Sequence, residues 1–264
     1  MKLKKLNPIT NGSRHVIRLQ KNLLAKNSRL VRSIFKKKQK RNGRSSTDGH
    51  ITSWQKGGGV KGLYKNVNFS NSKTNAVVIS TCYDPYRNGF VNFNFELNTK
   101  KFFFDAATNS SFPGSLIKNS PDINELKLGY RTKIKNIPAG SVIHSLTIND
   151  NLKTQYIRSA GTFGQIVQRG LTKAKIKLPS KKIIEISVNN YATIGVMSNL
   201  VDNQRYIGKA GTNRLLGKRP TVRGIAMNPV DHPHGGRSNG GIPSVTPWGL
   251  PTKCGFYLRK KKNK

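Results

Sequence analysis

The stretch GFVNFNFEL, residues 89–97, alternates from Val91 onward. Val91, Phe93, Phe95 and Leu97 fall on one side, and Asn92, Asn94 and Glu96 on the other. A period of two marks a half-buried β-strand. Asn88-Gly89 just before it is a hairpin signal. Upstream, NAVVISTCYDP (75–85) reads as a strand closed by the turn Asp84-Pro85. Downstream, KKFFFDAA (100–107) reads as a third strand. Together these short strands predict a first small β-barrel over 63–135.

The theme recurs further along. SAGTFGQIVQRG, KAKIKLPS, KKIIEISVNN and YATIGV, between 159 and 196, are short strands at about ten-residue spacing, split by Gly, Pro and Asn. In AKIKL, Ala174, Ile176 and Leu178 point one way and the lysines the other; Ile184, Ile186 and Val188 share a face in KKIIEISV. A second small barrel is expected over 136–200, and one short helix over 198–207. The expected fold class is all-β: two small barrels carrying long basic irregular N- and C-terminal extensions, over 1–62 and 201–264.

Charge separates these parts. The chain has 264 residues, 48 Lys and Arg against 10 Asp and Glu, and a net charge of +38. Residues 1–62 hold 17 basic and one acidic side chain; residues 205–264 hold 13 and one. A free chain of that charge repels itself, so a polyanionic partner is implied. No apolar run of about 18 residues occurs, and no basic helix shows a clean apolar face, so nucleic acid is favoured over membrane. The N-terminal stretch MKLKKLNPIT lacks the apolar core of a signal peptide. Cys82 and Cys254 stand far apart outside any CxxC, as expected of inert thiols in a reducing compartment.

Neither end shows a lasting period. Residues 1–62 are too polar to offset their own ordering entropy and are expected to order on a partner. Within them Gly57, Gly58 and Gly59 let backbone approach a phosphate closely. Trp54, Lys56 and Lys61 beside them favour contact over a flexible linker.

RGIAMNPVDHPHGGRSNGG, residues 223–241, poses the chemical question. His232 and His234, two apart in an extended chain, point the same way, and Asp231 adds an oxygen. A closed zinc site still needs a fourth ligand, and His15, His50 and His144 show no partner spacing. No nucleophile setting such as GxSxG and no paired carboxylates support an enzyme. Close packing against RNA remains. Pro229 and Pro233 stiffen the loop, while Gly235, Gly236, Gly240 and Gly241 remove side chains where backbone must approach. Arg219, Arg223 and Arg237 supply forked donors for phosphate, the histidines can stack or donate, and Trp248 offers a stacking face.

GKAGTNRLLGKRPTVRGIAMNPVDHPHGGRSNGG…VTPWGLPTK resembles the signature of the universal L-two family of large-subunit ribosomal proteins. RSAGTFGQIV is similar to its second-barrel strand, GGGVKGLYKNVNF to its entry into the first barrel, and NGSRHV to its N-terminal arm. The likeness runs from about residue 7 to 258. It implies a first barrel of oligonucleotide-binding type, a second of SH3-like type, and arms buried in large-subunit rRNA. The loop Asn228–Gly236 would then approach RNA around the peptidyl transferase centre, with His232 in a structural role, and Arg14 and Lys218 join the RNA-facing set. Implied partners are large-subunit rRNA, other ribosomal proteins and the small subunit across a bridge, with no membrane and no homo-oligomer. No enzymatic activity is implied. No cofactor of its own is implied, magnesium held by neighbouring rRNA being the nearest candidate ion. The sequence departs from the family where a Gly-Glu-Gly stretch usually follows GGR, at Val60 in place of histidine, and around FFFDAATNSSFPG. Its Lys- and Asn-rich composition points first to a mitochondrial ribosome, with a bacterium or plastid as alternative. The rival functional readings are a general nucleic-acid binder of nucleoid type and a hydrolase using Asp231, His232 and His234.

Overall fold

The computed structural model describes residues 3–22, 24–25, 31, 34, 42–123, 125–148, 154–236 and 243–252. They fall into two compact units. The first comprises residues 1–40 and 60–213, the second 41–59 and 214–264.

The first unit is built on one ten-stranded sheet folded into two barrel-like halves. The first half contains β3 (Thr74–Cys82), β4 (Val91–Glu96), β5 (Phe102–Ala106) and β6 (Leu116–Asn119). The second contains β7 (Arg131–Lys133), β8 (Val142–His144), β9 (Gly164–Arg169), β10 (Lys173–Lys177), β11 (Ile183–Ser187) and β12 (Tyr191–Ile194). Strand order is β11-β10-β9-β8-β12-β7-β6-β3-β4-β5. The two sets of strands meet at one parallel pair, Asn119 with Arg131. An isolated bridge, Thr108 with Met197, and the bonds Asn109 N–H to Val196 O and Ser198 N–H to Ala107 O link the halves further. By pairing β7 belongs with the second half, since it meets β12 over three residues. The boundary drawn at 135 thus falls just past a strand of the second half.

Each half has its own core. Ile134, Ile137, Ile143, Leu146, Ile166 and Ile176 lead the second. Cys82, Val91, Phe93, Phe104 and Met197 lead the first, so Met197 crosses from the distal end of the second half to fill it. The lysine side of β10 behaves as its period requires: Ala174 and Ile176 are buried while Lys173, Lys175 and Lys177 face water.

The opening strand departs from expectation. Asn92 and Asn94 are 0% exposed, although alternation assigned them to the wet face. The physical reason is barrel curvature: both faces of β4 are covered. Asn92 Oδ1 accepts from Thr81 Oγ1 at 3.1 Å. Both side-chain polar atoms of Asn94, and the amide nitrogen of Asn92, have no hydrogen-bond partner among the described residues.

The N-terminal arm carries regular structure as well. β1 (Leu3–Lys5) and β2 (Ile17–Leu19) form an antiparallel hairpin. Ile17 then exchanges backbone bonds with Tyr206, and Ala25 N–H donates to Thr81 O. Val16, Leu24 and Val31 are buried. These few apolar side chains bury surface in an arm whose composition is otherwise polar and basic. Where a helix was expected over 198–207, one 3-10 turn covers Asp202–Gln204. A short helix α1 (Ala210–Leu215) follows, in a stretch read from sequence as irregular.

Candidate nucleic-acid interface

The second unit brings together two segments distant in sequence, 42–59 and 214–252. Gly57 N–H donates to Gly217 O at 3.1 Å, and Arg219 N–H to Gln55 O at 3.0 Å. Lys56 and Lys218 form an isolated antiparallel bridge. Gly57, Gly58 and Gly59 all have positive φ. At Gly59 (φ +90°) a Cβ would lie 2.9 Å from both Gly217 N and Leu215 O. The close approach that Gly59 permits is therefore to its own chain. Trp54 and Trp248 pack ring to ring at 6.1 Å, both still exposed. Lys56, Lys218, Arg219 and Arg223 are exposed around this unit.

The loop after them is a braced finger. A 3-10 turn over Gly224–Ala226 leads into it. Asp231 N–H and His232 N–H both donate to Asn228 O, at 3.0 and 3.3 Å. Gly235 N–H donates to His232 O at 2.8 Å, and Gly236 N–H to Met227 O at 3.3 Å. These bonds close the loop on itself. His232 is turned inward, 8% exposed. Its Nδ1 accepts the backbone N–H of His234 at 3.0 Å, which places the proton of a neutral ring on Nε2. The two imidazoles lie 4.8 Å apart. His234 Nε2 accepts from Val245 N–H at 3.1 Å and ties the finger to the returning chain. What the finger presents outward is Asn228, Pro229, Val230, Asp231 and Pro233, with Val230 90% exposed at the tip. Spacing put the histidines forward; the fold makes them the brace. Arg237, Gly240 and Gly241 lie outside the described residues, as does Cys254.

The first unit holds Arg14 and Lys61, both exposed. It also holds a cleft that sequence reasoning missed. A cavity of about 510 Å³ is lined by residues including Phe69, Arg87, Asn88, Tyr156 and Arg158. Arg158 lies over the Phe69 ring at 5.4 Å. Arg87 is oriented by Asp84, by Lys65 O at 3.1 Å and by Tyr64 OH at 3.1 Å. Arginines beside aromatic rings are the signal, but they come from segments 69 to 158 and no sequence window contains both.

Between the two halves of this unit lies a buried polar network. Arg131 donates to Asn71 Oδ1 and Thr154 Oγ1, both at 2.8 Å. His144 meets Thr108 Oγ1 at 3.2 Å and Ser145 Oγ at 2.9 Å. Desolvation, reinforced by the Arg131 charge, pulls His144 down to about 3. Desolvation pushes Asp105 up to about 6, against the opposing pull of Arg131 and the Ala106 N–H. Lys65, almost fully buried, donates to Tyr83 O, and burial lowers its pKa. Arg131 and His144 tie the two halves together, while half-buried Asp105 and buried Lys65 lie within the first.

Among the described residues no three or more His, Cys, Asp and Glu side chains gather as a metal site. Nor is any described helix long and apolar enough to cross a membrane.

Comparison with known proteins agrees with this geometry. Residues 31–110 match the family model described as Ribosomal Proteins L2, RNA binding N-terminal domain. Residues 127–249, which contain the whole finger, match Ribosomal Proteins L2, C-terminal domain. The chain is 39% identical to the large ribosomal subunit protein uL2 of Rickettsia massiliae over 267 aligned positions, covering 99% of this chain and 96% of that protein. The uL2 proteins of Rickettsia rickettsii and Rickettsia bellii show the same identity and coverage. Cationic ends, two small barrels and a braced finger inside the matched region lead to one conclusion: the chain belongs to the ribosomal protein L2 family.

Proposed function

We propose that this chain is a structural, non-catalytic constituent of the large ribosomal subunit that binds and organises its rRNA. The observation that carries the reading is the finger Gly224–Gly236, closed by its own backbone bonds and lying inside the family match. An arginine- and tryptophan-bearing unit with a stiff, side-chain-poor projection suits the shape of folded RNA. In this reading Asn228–Gly236 reaches RNA at the peptidyl transferase centre. Trp54, Lys56, Gly57, Gly58, Lys218, Arg219, Arg223, Arg237 and Trp248 grip phosphates and bases around it. Arg14, Lys61, Arg87 and Arg158 are further contacts. The working division of labour is a basic arm (1–62), two barrels (63–135 and 136–200) and a basic extension (201–264). Other ribosomal proteins, and the small subunit across a bridge, complete the partners.

The ribosome we favour is mitochondrial, on the lysine- and asparagine-rich composition. A bacterial ribosome is the competing location, since the relatives named above are bacterial. Gradient sedimentation of fractionated source cells separates the two: the chain should travel with mitochondrial large subunits. Binding of purified chain to large-subunit rRNA should weaken with salt along a log–log slope of roughly 0.7–0.9 per phosphate neutralised. A flat salt response, or equal competition by random duplex DNA, defeats the proposal. His232→Ala should impair peptidyl transfer by mispositioning RNA, with its pH profile unmoved; a shifted profile would mean direct proton transfer.

A further inference from the structure

The first barrel-like half carries a partly exposed apolar row, aromatic at one end, that the finger and the cleft do not use. Leu116, Val77, Phe95 and Phe102 are cross-strand partners on β6, β3, β4 and β5 in one continuous register. Their side chains share a face. Leu116 is 58% and Phe102 37% exposed, with Val77 and Phe95 half-buried between them. The rings form a ladder from core to surface. Phe104 and Phe93, both buried, lie 5.5 Å apart; Phe93 stacks on Phe102 at 5.3 Å and 17°; Phe102 meets Phe95 at 5.2 Å. A ring stacked on a buried partner is held in place and keeps its other surface available.

The neighbouring row is cationic and polar. Lys118 pairs with Asn75 across β6 and β3, and Leu97 N–H donates to Asn75 O. The β4–β5 turn then places Lys100 and Lys101 in solvent at the Phe102 end. In the same turn Thr99 Oγ1 donates to Glu96 Oε2 at 2.6 Å and orients that carboxylate, whose single charge is outnumbered by the two lysines. Glu125 sits at the other end, paired with Lys127 at 2.8 Å and close to Lys118. The Phe95–Phe102 end therefore combines two ring surfaces with two lysines. Ring faces accept bases of any sequence, and flanking lysines track the phosphates.

We infer that Phe95 and Phe102, with Lys100 and Lys101, form a stacking platform for unpaired RNA bases, separate in residues from the finger. The inference rests on the rRNA-binding reading and adds a second site to it. A folded duplex cannot use the platform, because its bases are already stacked.

The test uses the full chain and a single-stranded oligouridylate of about twelve nucleotides, a length within the range such platforms cover. Oligonucleotide anisotropy reports total binding. The emission added by Phe102→Trp over the unsubstituted chain reports position 102 alone. At saturation that added emission should fall to about half or less with oligouridylate, as base stacking on the ring quenches it, and stay unchanged with a blunt RNA duplex of equal length. Lys100→Ser with Lys101→Ser should lower the log–log salt slope of the quenching by about 1.4, two phosphates at roughly 0.7 each. Should anisotropy saturate while the emission at 102 stays constant, the platform is refuted and the rRNA reading survives. Loss of all oligonucleotide and rRNA binding would instead sink both. In assembled particles, Phe102→p-benzoylphenylalanine should crosslink to RNA; capture of a protein neighbour alone would overturn the inference.

Discussion

Gly235→Ala tests whether the finger is braced as described. A Cβ at 235 would lie 2.3 Å from Asn228 O, 2.4 Å from Asn228 C and 2.7 Å from Pro229 N. These are backbone atoms, and Pro229 cannot readily rotate away. Relief requires moving Asn228 from His232 and Gly235. That movement strains the four bonds closing the loop, donated by the amides of residues 231, 232, 235 and 236. At about 0.5–1.5 kcal/mol each, and with two or three of the four lost, the cost is roughly 1–4 kcal/mol. The closed-to-open ratio of the finger would then fall by about 5- to 1000-fold. Hydrogen exchange in the free full chain reads this directly. Those four amides should exchange faster by a factor in that range, and the variant should enter large subunits poorly. Gly211→Ala is the control, because nothing lies within 4 Å of its Cβ and it sits in α1. It should be neutral, or stabilising by up to about 1 kcal/mol. Unchanged exchange in Gly235→Ala would show that the finger is not closed as observed.

The buried network predicts opposed pH responses. Asp105 is raised in the fold, so its burial costs nothing below about pH 4, where both states are protonated. The cost grows as pH rises towards 6 and then stays constant. Asp105→Asn should thus stabilise the chain by on the order of 1–3 kcal/mol at pH 7.5 in urea titrations, the gain shrinking as pH falls from about 6 and nearly gone below about 4. His144 is depressed, so stability is unaffected above about 6.5 and is lost as pH falls from there towards 3. At pH 5 that loss is about 2 kcal/mol, and His144→Asn should flatten this acid limb even if it lowers stability at neutral pH. A variant with the same slope as the parent chain would refute the assignment. In the second core, Ile176→Ala should cost about 2–5 kcal/mol by thermal or urea unfolding; under 1 kcal/mol would mean that Ile176 is not packed as observed.

Period-two patterning by itself located β4, β9, β10 and β11, and on β10 it assigned both faces correctly. The charge at the two ends, and the proline- and glycine-rich loop between Arg223 and Gly241, drew attention to the parts proposed here to meet RNA without any coordinates. Alternation separates the two sides of a strand, but it does not say whether the second side is also covered. Only the curved sheet decided that Asn92 and Asn94 are buried. Contacts distant in sequence were likewise invisible: Gly59 against Gly217, Trp54 against Trp248, Arg158 over Phe69. The fold also turned His232 inward, where the His234 amide donates to its Nδ1 and its ring packs on Gly224, whose Cβ, if present, would lie 2.6 Å from it. Local sequence fixes what each segment can do, whereas burial and partnership depend on which surfaces the folded chain brings together.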